Sequence, residues 1–275
     1  MLAEQSLKEG DLSEALSELQ EAVRDDPSDG ERRVFLFQLL CVLGQWDRAL
    51  TQLNVAADLD SANLLMAAVY RPALQSEAFR EQVFLGQRTP IVFGEPPPWI
   101  GWLISANQLS AEGRYDQAQA LFEQAFDAAE PASGSIDGQP FEWIGDADSR
   151  LGPILEAIVE GRYFWIPFSA IRQIVIEPPT ELRDVVWVRA YFKWANGGES
   201  AGLVPSRYPH SSEADDSRVA MARTTVWEER ASGFYVGVGQ RMLVSNANEF
   251  PLLEIRHIVM ENGTESRAET ADNHG

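Results

Sequence analysis

The residues best suited to moving protons or binding a metal near neutral pH are three histidines, His210, His257 and His274, and no two stand at ligand spacing. Cys41 is the single cysteine, so the chain can form neither an internal disulfide nor a thiolate cluster. No glycine loop followed by Lys and Ser or Thr is present to cradle a phosphate, and no Gly-x-Ser-x-Gly elbow is present to carry a nucleophile. "GVGQRM", residues 237 to 242, lacks the third glycine of a dinucleotide fingerprint. No cofactor is expected. EDTA should therefore leave the melting temperature of the purified protein unchanged, and a drop of several degrees would reveal an oxygen-ligand site.

Some acid, base and anchor chemistry remains. Asp146 and Asp148 in "WIGDADSRLGP" are of the right type for metal ligands or an acid–base pair. They are equally suited to capping a turn, because a short carboxylate accepts hydrogen bonds from nearby backbone N–H groups. With no complementary acidic motif elsewhere, capping is the expected role. Arg150 in the same segment and Arg207 in "PSRYP" carry planar forks that match carboxylates, and they are expected to pair with Asp146, Asp148 or Asp184 where the two halves of the chain meet. His257 lies in a predicted strand and reads as a satisfied sheet residue. A second reading stays open, in which Asp146, Asp148, Arg150, Arg207 and Tyr208 line a small-ligand or enzymatic cleft in the C-terminal half.

The elements that must position these residues change language midway. "GDLSEALSELQEAVRDD" (10–26), "GQWDRALTQLNVAADLD" (44–60) and "GRYDQAQALFEQAFDAA" (113–129) write one pattern three times. The first two copies are 34 residues apart, the period of a helix-turn-helix repeat. The glycines Gly10, Gly44 and Gly113 fall where one helix must end, and small residues such as Ala15, Ala49 and Ala118 let helices approach. Between the second and third copies, residues 61 to 85 read as one longer helix bent near Pro72, with Tyr70, Arg71, Glu77 and Arg80 on an exposed charged face. After the loop at 130–138, β-branched and alternating runs take over, with turn signals such as Asn196-Gly197-Gly198.

The expected fold is thus α+β. A tetratricopeptide-like α-solenoid over 1–132 is followed by a small, mostly-β C-terminal domain, sheet or barrel, over 139–261, and a disordered tail over 262–275. Continuous βα alternation would contradict this.

Charge narrows the partners. The 275 residues carry a formal net charge of −20, divided as 9 basic and 21 acidic residues before position 136 (9 − 21 = −12) and 13 and 21 after it (13 − 21 = −8). Neither half offers the basic footprint that nucleic acid or an anionic membrane surface requires. The start "MLAEQSLKEG" lacks a signal-peptide layout, and no apolar run approaches the roughly 18 residues of a membrane helix, so a cytoplasmic protein is expected.

Together the three degenerate repeats and the segments "WIGDADSRLGPILEAIVEGRYFWIPF", "PPTELRDVVWVRA" and "LVPSRYPHS" resemble the ImpE family, also called TagJ or SciE, over about residues 5 to 260. The resemblance implies a cytoplasmic, non-enzymatic accessory protein of bacterial type VI secretion. It implies a partner, the small sheath subunit (TssB-like), bound through that subunit's N-terminal helix, and a role in sheath assembly or in recycling by ClpV. It supplies no catalytic residues.

A helical-pair solenoid offers a concave surface of first helices to a partner helix. By the repeat alignment that surface holds Val34, Gln38 and Cys41 from the second pair and Leu103 and Asn107 from the third. Cys41 would then label readily in the free protein, and Val34→Asp would weaken partner binding by roughly 1–3 kcal/mol. The competing expectation places Val34 and Cys41 in the core.

Overall fold

The computed structural model describes residues 2–261. The expectation of a disordered tail, and His274, lie outside the described residues.

The helical part comprises α1 (Leu2–Glu9), α2 (Leu12–Asp25), α3 (Gly30–Val42), α4 (Trp46–Leu59), α5 (Leu64–Phe84), α6 (Ile100–Ala111) and α7 (Tyr115–Ala128). Each repeat glycine ends a helix in the left-handed region, Gly10 at φ 86°, Gly44 at φ 67° and Gly113 at φ 76°, where a side chain would be strained. The closing bonds recur as well: Asp11, Gln45 and Arg114 donate their N–H groups to the carbonyls of Ser6, Leu40 and Leu109. Asp11 and Asp29 cap the next helices, accepting from the N–H groups of Glu14 and Arg32 at 2.9 and 3.0 Å. The repeat positions Ala15, Leu19, Ala49, Leu53, Ala118 and Phe122 are buried as their spacing demands.

Residues 64 to 84 form one helix with Pro72 inside it. The expected exposed charged face is corrected: Tyr70, Glu77 and Arg80 are buried, and Arg71 alone stays half-buried. A sheet packs on the side that sequence left to solvent.

The strands are β1 (Ile91–Val92), β2 (Gly134–Ile136), β3 (Gln139–Phe141), β4 (Ile144–Asp146), β5 (Ile154–Val159), β6 (Arg162–Pro167), β7 (Ile171–Ile176), β8 (Trp187–Trp194), β9 (Glu199–Pro205), β10 (Thr225–Ala231), β11 (Phe234–Gly239), β12 (Met242–Ser245), β13 (Glu249–Pro251) and β14 (His257–Met260), with a short α8 (Ser217–Ala220) in the loop before β10. Nine form one open sheet in the order β1-β6-β5-β9-β8-β7-β14-β2-β3. All its pairs are antiparallel except β1 with β6. β13-β12-β4 make a second sheet, and β10-β11 a hairpin.

Strand β5, in the middle of the sheet, is buried along its whole length, which is why it is apolar except at Glu156. Ile154 and Ile158 of β5, Trp165 of β6 and Trp187 of β8 point into a core shared with the helices. Leu155, Ala157, Ile166 and Val188 point into a second core that includes Leu243 and Phe250 of the smaller sheet. Burying each of the Ile, Leu, Val and Phe side chains among them contributes roughly 1.5–3 kcal/mol. The helical core therefore runs straight into the strands across the loop at 130–138.

Candidate functional site

The junction of α5 with the sheet holds a connected set of buried charges. Glu156, fully buried in β5, accepts from Arg80 of α5 through Nε at 2.7 Å and Nη2 at 3.0 Å. It also accepts from Arg241 and from the Tyr163 hydroxyl. Arg241 reaches onward to Asp146 and donates to the Pro205 carbonyl at 2.9 Å. Arg80 touches Glu77 at 3.3 Å, and the Trp187 indole donates to Glu77 at 2.7 Å. One residue in the middle of an apolar strand thus links a helix and two sheets.

Burial alone would raise the Glu156 pKa, but Arg80 and Arg241 outweigh it and hold the carboxyl well below its usual range. Asp146 behaves oppositely: burial pushes it up to about 6, against the pull of Arg241. The folded protein then binds this proton more tightly than the unfolded chain, which titrates near 3.8, so between those values folding takes up a proton. Stability from Asp146 therefore falls as pH rises through that window. Glu156 acts with the opposite sign, its contribution being lost only as pH drops below its ordinary range. Asp146→Asn is expected to abolish the downward slope between pH 4 and 6 in unfolding free energy measured by urea denaturation; an unchanged slope would assign it to other groups.

Asp146, Asp148 and Arg150 meet in one turn at this junction. Asp146 accepts from the Asp148 N–H at 2.9 Å and the Tyr208 hydroxyl at 2.9 Å. Asp148 holds the Arg150 guanidinium through both oxygens, at 2.9 and 2.7 Å, and receives the Gly237 N–H at 2.8 Å, which ties the β10-β11 hairpin to the turn. Arg150 in turn stacks on Phe84 of α5, its guanidinium carbon 4.8 Å from the ring centre.

Arg207 differs from expectation. It pairs with no carboxylate and donates instead to the carbonyls of Cys41 at 2.9 Å, Val42 at 2.7 Å and Ala220, closing the C-terminal end of α3. Burial without an acidic neighbour in contact lowers its pKa to about 10, so it stays charged at neutral pH and meets the negative end of the helix dipole. Asp184 likewise stays local, accepting from the N–H groups of Thr180 and Glu181 at 2.8 and 2.9 Å.

The open concave groove expected from the repeat alignment is filled by the chain itself. Gln38 is buried, donating to Glu181 at 2.8 Å and accepting from the Arg183 N–H at 3.1 Å. Cys41 and Leu103 have no exposure, and Asn107 is buried with its amide donating to the Val83 carbonyl at 2.7 Å. Val34 alone remains half-buried. The short helical turn at Leu182–Val185 packs against α3 where a guest helix was expected. Local spacing could not show this, because the covering segment lies some 140 residues further along the chain.

Of the residues read as a possible cleft, Asp148 is paired with Arg150 and Asp146 with Tyr208 and Arg241, while Arg207 faces backbone carbonyls. His210 sits at the surface beside Glu213, 3.0 Å away, and His257 is exposed at the start of β14. Among the described residues no cluster of His, Cys, Asp and Glu could hold a metal, and no helix is long and apolar enough to cross a membrane. A mostly apolar cavity of about 660 Å³ lies between the end of α7, the Pro97–Trp99 segment and β4, with Phe126 and Trp143 on its wall. Gly152 makes room there: a Cβ on it would stand 2.1 Å from the Phe126 ring.

Sequence reasoning read Glu77 and Arg80 only as an exposed face and missed Glu156 and Arg241. The signal for the latter two was present, since they interrupt apolar strand-forming segments, and a charge in such a place must find a partner.

Known proteins place this architecture. Residues 138–259 match the family model described as ImpE protein, and residues 6–70 match a tetratricopeptide repeat model. A crystal structure of a protein from Vibrio parahaemolyticus superposes with a TM-score of 0.86 at 26% identity, over 95% of this chain and 98% of that one. The type VI secretion system accessory component TagJ of Pseudomonas aeruginosa is 47% identical over 261 residues, 95% of this chain and 92% of the relative. With the repeat half and the strand half both matched in one relative of nearly equal length, the chain belongs to the ImpE/TagJ family.

Proposed function

We propose that this protein is a non-enzymatic accessory component of a bacterial type VI secretion system, acting in the cytoplasm by binding the small sheath subunit through that subunit's N-terminal helix. The observation that carries the reading is the 47% identity to TagJ across 95% of the chain, which spans both the repeats and the strand-rich region. The repeats favour a protein partner, since stacked helices present extended side-chain surfaces rather than enclosed reactive sites. The buried charges support a non-enzymatic role, because the carboxylates and guanidiniums at the junction hold helices and strands together.

Immobilised full-length protein is expected to retain the purified small sheath subunit from the same secretion cluster. Removing the subunit's first helix is expected to abolish retention. Equal capture of the truncated subunit would sink the helix-mediated reading, and no capture of the intact subunit would sink the partner.

A further inference from the structure

Helix α5 is covered unequally along its length. Its C-terminal half is buried by β6, with Phe79 against Tyr163 and Phe84 against Trp165, and α6 reaches it through the Asn107–Val83 bond. One side of its N-terminal half is covered: Ala67, Tyr70 and Leu74 are buried, Tyr70 packs against Phe37 of α3 and Trp187 of β8, and Arg71 hydrogen-bonds Asn54 of α4 at 2.6 Å. At about 100° per residue, Leu65 and Val69 lie nearly opposite that contact. They are exposed, Leu65 at 78% and Val69 at 42%, beside Leu64 at 52% and exposed Ala68.

The repeat explains why this face is bare. In the α3–α4 and α6–α7 pairs the second helix returns to cover the first. After α5 the chain departs instead to β1, which pairs with β6 at the sheet edge, so no second helix returns over Leu65 and Val69. The bare stretch is the site of a missing helix. Its length is bounded at one end by the α4–α5 connection and at the other by the β5–β6 turn, where Gly161 lies against Pro72.

Charge separates the possible occupants. Exposed Asp58 and Asp60 precede α5 along the chain, and exposed Glu160 adjoins Gly161, which lies against Pro72 of α5, while exposed Arg162 is turned over the Phe164 ring. Together with a net charge of −20, these carboxylates disfavour a second copy of this chain, whose own acids would face them. They favour a helix with basic flanks.

We propose that the face of α5 formed by Leu64, Leu65, Ala68 and Val69 docks an amphipathic helix of a protein partner, apolar stripe inward and basic residues toward Asp58, Asp60 and Glu160, giving α5 the paired helix it lacks. The inference rests on the reading that the partner is the small sheath subunit, and it names where that subunit's helix lies.

The test uses full-length protein and a fluorescein-labelled peptide of the small sheath subunit's first helix, read by anisotropy. Leu65→Glu with Val69→Glu is expected to weaken binding at least about tenfold, as loss of a central apolar contact does, while circular dichroism and melting temperature stay unchanged because both side chains are solvent-facing. Should that pair disturb folding, Asp58→Lys supplies an independent reading. It is expected to weaken binding severalfold at low salt and to have little effect at about 0.5 M salt, where exposed charges are screened. If the peptide binds wild type and both variants alike, the α5 surface is wrong while the partner stands; loss on Trp143→Ala instead would move the interface to the large apolar cavity. If wild type binds no peptide, surface and partner reading fall together.

Discussion

Arg241→Met is expected to lower the unfolding free energy by about 3–5 kcal/mol, the usual cost of leaving buried charges without their partner. Arg241 has no exposure and bridges Asp146 and Glu156, two carboxylates equally sealed from water. Methionine fills much of the volume but supplies no proton. Glu156 keeps Arg80 and Tyr163, so the larger loss falls on Asp146, which retains only the Tyr208 hydroxyl and the Asp148 N–H. The loss should therefore shrink on moving from pH 7 to pH 5, because Asp146, already titrating at about 6, then takes up its proton. Urea denaturation of both proteins at the two pH values checks this. Adding Asp146→Asn to Arg241→Met should restore part of the stability, since the stranded charge is gone. A loss under about 1 kcal/mol would mean that the junction tolerates the unpaired carboxylates.

Cys41 is expected to react with a thiol reagent at least roughly a thousandfold more slowly in the native protein than in the urea-unfolded chain, because reaction must wait for opening and buried core sites open only with free energies near the global value, about 5 kcal/mol or more. Two physical effects act together. The side chain has no exposure in α3, and burial pushes the thiol pKa well above its ordinary value, leaving little thiolate to react. Arg207, holding the Cys41 and Val42 carbonyls, keeps this helix end closed. A stopped-flow or manual time course with a maleimide dye in native buffer gives the rate. Prompt labelling would mean that the turn at Leu182–Val185 leaves α3 readily and that the concave side opens in solution.

Local physics made much of the helical half readable before any tertiary contact is considered. Gly10, Gly44 and Gly113 sit where only a left-handed residue ends a helix well, and the buried alanines and the large apolar Leu19, Leu53 and Phe122 of the second helices repeat at helical spacing. Strand-rich character after the 130–138 loop followed from β-branched runs in the same way. The turn-capping roles of Asp146 and Asp148 were also legible, because an Asp accepts from N–H groups within two or three residues of itself.

Strand β1 was not legible, since two residues carry no period and pair only because the edge of β6 is there to receive them. Glu77 and Arg80 lie 79 and 76 positions from Glu156, and a helix face reads the same whether its charges meet water or a sheet (156 − 77 and 156 − 80). For the same reason the sequence marked Gln38, Cys41, Leu103 and Asn107 as the inner side of a solenoid but could not reveal that the protein's own C-terminal half and helices occupy that side. The sequence by itself determined the elements, their ends and the repeat register, all set by interactions within a few residues. Tertiary structure alone decided which faces are covered, which charges are paired and which apolar stripe, on α5, is left bare, because those depend on surfaces that meet only after the strands have folded back over the helices.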